Sequence, residues 1–106
     1  MASERLTGAA CTLDSEALHE RLAEWSGLRD RSSAIESLPG GARLVLDEAE
    51  PVAHVADLVA RESECCPFYS FSLQIEGPAR HLDISAGPAG EPAVLALIGV
   101  ERGWPE

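Results

Sequence analysis

Three cysteines carry the clearest capacity for chemistry. Cys11 stands alone near the start, and the adjacent pair Cys65-Cys66 is followed at once by Pro67-Phe68. Thiolates are nucleophiles and soft metal ligands. An odd number suits a closed set of structural disulfides poorly, and a bond between neighbouring cysteines closes a strained ring. Three sulfurs without an obvious fourth ligand favour ions that accept low coordination numbers, such as Hg(II), Cu(I) or As(III). Structural zinc, which wants four ligands, fits less well.

Few other residues could join them. His54 falls about 16 Å from Cys65 if both lie on one helix rising 1.5 Å per residue. His81 belongs toward the opposite end of the molecule. His19 is the one histidine near enough to consider as a fourth ligand, while Glu62 and Glu64 are closer but harder donors. A helix C-terminus is partially negative, and these glutamates add to that, so a bound cation would relieve repulsion there. Arg61 is the nearby cation visible in the sequence.

The elements that position the thiols follow from pattern and punctuation. Thr7 to Leu13 forms a strand of small residues. Asp14 and Ser15 cap a helix that carries Leu18, Leu22 and Trp25 on one face, with Glu20, Arg21 and Glu24 on the other, and runs to about Arg29 or Arg31. Ser33 to Leu38 and Ala42 to Leu46 flank Pro39-Gly40-Gly41 as a hairpin. Pro51 opens a second helix bearing Val52, Val55 and Val59, and Pro67 stops it at about Glu64 or Cys65. Tyr69 to Glu76 alternates apolar and polar residues as a half-buried strand, with Phe71, Leu73 and Ile75 inward. Leu82, Ile84 and Ala86 mark another strand, and Pro92 opens a third helix with Val94, Leu97 and Ile98 inward.

This order predicts an α+β fold: a ferredoxin-like βαββαβ antiparallel sheet with an added C-terminal strand and helix. The sheet order would be 4-1-3-2, with the strand of residues 7–13 between 42–46 and 69–76. That arrangement brings Cys11 to the same edge as Cys65 and Cys66, although 54 positions separate Cys11 from Cys65. Consecutive helical side chains point about 100° apart. By holding Cys66 in extended backbone, Pro67 lets the two neighbouring thiols face a common point.

Composition narrows the partners. A chain of 106 residues reads as one domain, 1–106, with a single core. Its net charge of −10, with eight scattered arginines and no lysine, argues against nucleic acid and against anionic membranes. No apolar run is long enough to span a bilayer. The first residues, Met1 to Leu6, lack an apolar leader segment, so a cytoplasmic, thiol-reducing setting is expected. No Ser-His-Asp spacing, phosphate loop or HExxH motif is present.

Three readings stay open. One is soft-metal binding through Cys11, Cys65 and Cys66, with the ion passed to a partner protein by thiolate exchange, the chain being a monomer or a homodimer. Another is a thiol redox protein or enzyme in which Cys65 or Cys66 attacks and another cysteine resolves. The third is an interaction module whose cysteines pack as small hydrophobes.

Two stretches, Ala10-Cys11-Thr12-Leu13 with Arg21-Leu22-Ala23-Glu24-Trp25, and Arg61-Glu62-Ser63-Glu64-Cys65-Cys66-Pro67-Phe68 leading into Phe71-Ser72-Leu73, resemble small bacterial three-cysteine "CCPF" proteins. That family is associated with mercury and heavy-metal resistance loci and with domains near MerR-type regulators. The resemblance implies Cys11, Cys65 and Cys66 as shared thiols. The chain shows no helix-turn-helix, so it is not expected to be a regulator by itself.

Overall fold

The computed structural model of the protein describes residues 14–100. The expected strand at 7–13, with Cys11, and the tail bearing Trp104 lie outside the described residues.

Helix α1 (Ser15–Arg31) starts where Asp14 accepts a hydrogen bond from the Ala17 amide at 2.8 Å, satisfying an amide that has no partner inside the helix. Strands β1 (Ala34–Leu38) and β2 (Gly41–Val45) form a hairpin with a two-residue turn at Pro39-Gly40. Gly40 sits at φ +74°, a left-handed conformation that a side chain would strain. A Cβ on Gly41 would run into the Ile84 carbonyl of the neighbouring strand. Helix α2 (Val52–Cys65) follows, then the hairpin of β3 (Ser70–Glu76) and β4 (Ala79–Ser85), and finally helix α3 (Glu91–Leu97).

The fold is mixed α+β, with a four-stranded antiparallel sheet among the described residues in the order β1-β2-β4-β3. This corrects the expected order. The place between β2 and β3 that the ferredoxin-like arrangement reserves for residues 7–13 is taken by β4. It pairs with β2 along Gly41↔Ser85 to Val45↔His81, and with β3 along Ser70↔Ser85 to Glu76↔Ala79. Helix followed by hairpin occurs twice, and the two hairpins meet through their second strands.

Burial explains that choice. Ala42, Leu44, Leu82 and Ile84, on the facing strands β2 and β4, are completely buried, whereas Phe71 and Leu73 on β3 are half-buried. The registers align Ile35, Leu44, Leu82 and Leu73 in one row across the sheet, and Ala42, Ile84 and Phe71 in the next. Trp25 and Leu28 from α1, Val55 and Leu58 from α2, and Val94 and Ile98 at α3 complete the core. The alternate face carries Glu36, Arg43, Asp83 and Ser72, with Arg43 Nε donating to Asp83 Oδ1 at 2.7 Å.

Candidate functional site

Helix α2 ends at the cysteine pair for the reason its sequence implies. Pro67 disfavours helical backbone at Cys66, and Cys66 adopts φ −132°, ψ 77°, while its amide still donates to the Glu62 carbonyl at 2.8 Å. The chain therefore bends between the two sulfurs. They stand 3.9 Å apart, far beyond the roughly 2.05 Å of a disulfide. Both residues are buried, packed by Leu18 of α1 and by Tyr69.

Glu62, one turn earlier on α2, joins them. Its carboxylate and the two sulfurs all lie within 4.8 Å of one another, a group of donor atoms able to hold a metal ion. Glu62 is only 2% exposed, so its charge needs partners. Helix α1 supplies two: Trp25 Nε1 donates to Glu62 Oε1 at 2.8 Å, and Arg21 donates to the same oxygen at 3.1 Å. The Trp25 ring is held in turn by stacking on Phe71 of β3, with centroids 5.7 Å apart.

The Arg21 guanidinium also reaches Cys65 Sγ at 3.5 Å. Burial works against its charge, but the bonds to Glu62 and Cys65 outweigh that and raise its pKa above the usual arginine value. A permanent cation thus lies against one sulfur, and it offsets both the Glu62 charge and the negative helix end. Arg61, expected as the nearby cation, instead pairs with Asp57 at 2.8 Å and Glu24 at 3.0 Å.

Of the residues singled out in the sequence, Cys65 and Cys66 come together, and Cys11 lies outside the described residues. His19 is exposed on α1, and Glu64 is exposed beside the pair. His54 stands 3.5 Å from Glu50 near the start of α2, and His81 stands 4.0 Å from Asp83 on β4. Sequence reasoning missed Arg21, which it placed on the solvent face. Leu18, Arg21, Trp25 and Leu28 are spaced three, four and three apart, which is the core stripe of α1, while Leu22 is 36% exposed. Glu62 shares the same spacing with Val55, Leu58 and Cys65, the four buried positions of α2.

An apolar cavity of about 190 Å³ opens beside Cys66, between α1, the end of α2 and α3. Compared with protein-family models, with curated proteins and with solved structures, the chain gives no match.

Proposed function

We propose that the protein binds a soft metal ion through Cys65 and Cys66, with Cys11 as third ligand, and sequesters it or hands it on in heavy-metal resistance or homeostasis. The observation that carries this reading is the 3.9 Å separation of the two sulfurs beside a buried carboxylate. An ion about 2.3 Å from each sulfur would subtend an S–metal–S angle of about 116° across that gap. A linear dithiolate would need about 4.6 Å between sulfurs at the same bond length, so the gap favours bent coordination, whether by three donors or four. Bent coordination leaves room for a further donor.

Cys11 is within reach by tether length. Leu18 packs on the sulfur pair. Three helical steps back to Ser15 span about 4.5 Å, and the four further residues to Cys11 span at most about 14 Å. Glu62 is the alternative third donor, but it is already held by Arg21 and Trp25. Soft ions prefer sulfur over that carboxylate. The resemblance to the "CCPF" proteins supports Hg(II), with Cu(I) and As(III) as companions and zinc less suited.

Titration of the reduced chain with Hg(II), Cu(I), As(III) and Zn(II) tests this. One ion per chain is expected, with binding lost in Cys65→Ser and Cys66→Ser and weakened at least tenfold in Cys11→Ser. Absence of stoichiometric binding, or affinity indifferent to Cys65→Ser and Cys66→Ser, refutes it.

Arg21 favours a second reading, a thiol redox function with Cys65 as nucleophile. A guanidinium against sulfur stabilises the thiolate that attacks. On this reading Arg21→Gln slows alkylation of Cys65 at neutral pH by about 3- to 10-fold, and the reduced chain turns over a disulfide or peroxide without metal. Slowed alkylation without turnover leaves metal binding as the function.

A further inference from the structure

The cavity beside Cys66 is larger than a bare ion needs. Its walls are apolar: Leu18 and Leu22 of α1, Tyr69, and Ala96 and Leu97 of α3. Cys66, Arg21 and Glu62 also line it and supply its polar atoms. A dry, apolar cavity of about 150 Å³ takes up benzene, and this one measures about 190 Å³. We infer that the site takes a thiophilic centre carrying one organic group, a monoaryl arsenic(III) species, with arsenic on Cys65 and Cys66 and the aryl group in this cavity.

The inference rests on the soft-ion reading and refines its cargo. A mono-organic arsenic(III) keeps one bond to carbon and needs two sulfurs, the number that α2 supplies at 3.9 Å. The reaction is a condensation without redox change. R–As(OH)₂ and the two thiols give R–As bonded to both sulfurs; two As–O bonds break, two As–S bonds form, and both thiol protons leave in two waters. Arg21, donating to Cys65 Sγ, stabilises the thiolate that makes the first bond. Leu18, which packs on the sulfurs and also lines the cavity, joins the two halves of the site.

Two probes isolate the organic group, because both need two sulfurs: methylarsonous acid and phenylarsonous acid. Affinities of the reduced full-length chain are measured by competition against a small dithiol, so that intrinsic differences in As–S bonding cancel. Burying the ring should favour the phenyl probe by about 10- to 100-fold over that reference. Ala96→Phe, at an exposed position of α3, fills the cavity; the phenyl preference should fall toward unity. Leu22→Trp fills the opposite wall from a half-exposed site, so the test survives misfolding of either variant. Equal affinities for the two probes overturn the inference and leave the soft-ion reading standing if the methyl probe binds. Binding of neither probe overturns both. A phenyl preference unchanged in both filled variants overturns the cavity assignment.

Discussion

Glu62 shows how one residue can be both a stability element and a ligand candidate. It is 2% exposed and accepts from both Trp25 and Arg21, whose side chain is 11% exposed. Removing one partner of such a buried pair leaves the other charge unsolvated, which costs about 3–5 kcal/mol. Glu62→Leu strands both Arg21 and Trp25 Nε1 and should reach that range in urea unfolding. Glu62→Gln keeps an acceptor for the indole and removes only the charge, so it should cost less. If both variants lose the same amount, the lost charge carries the whole effect and the indole bond contributes nothing. If neither is destabilised, the Arg21–Glu62 pair is an ornament of the site. The sequence hid this pair because charged residues read as solvent-facing. Arg21 and Glu62 are in phase with apolar neighbours on their own helices, and that phase is the signal that reveals them.

At the scale of elements, the termini were legible because caps and prolines act locally. The Asp14 cap, the Pro39-Gly40 turn and the Pro67 stop each depend on a few adjacent residues, and each lies where its chemistry requires. Strand partnership was not legible. Phe71, Leu73 and Ile75 give the plainest alternation in the chain, yet among the described residues they lie on an edge strand, with Ile75 51% exposed. Leu82 and Ile84 alternate over a shorter run and occupy the centre. Alternation reports which face a residue takes; it does not report which strand lies alongside. The same locality makes Pro67 a test of the site. Pro67→Ala frees Cys66 to continue the helix and turns its sulfur away from Cys65. Ion affinity should fall about tenfold, and relaxing the unfolded chain should cost a further ~0.4–1 kcal/mol of stability. Unchanged affinity would mean that burial of Cys66, only 3% exposed, holds the bend without the proline.

Across the whole molecule, two opposing effects of acid meet. The chain carries a net charge of −10, so protonating exposed carboxylates relieves self-repulsion and favours the folded state as pH falls. Against this stand two paired carboxylates. Hydrogen bonds from Arg31 hold Glu50 below its usual pKa, aided by His54; hydrogen bonds from Arg43 do the same for Asp83. The Arg31–Glu50 pair ties the end of α1 to the connector before α2, and Arg43–Asp83 bridges β2 and β4. A carboxylate depressed by folding contributes stability that is complete above its unfolded pKa and disappears as pH falls through the lower folded value. The windows therefore open at about 4.5 for Glu50 and 3.8 for Asp83. Urea midpoints should change little from pH 7 to about 5, above both windows, and then drop below about 4.5 as the Glu50 contribution is lost. In an Arg31→Gln, Arg43→Gln variant the neutral-pH midpoint should be lower and the acid drop shallower, because the pairs that cause it are gone. An acid limb equally steep in that variant would assign the pH dependence to other carboxylates and remove these two bridges from the account.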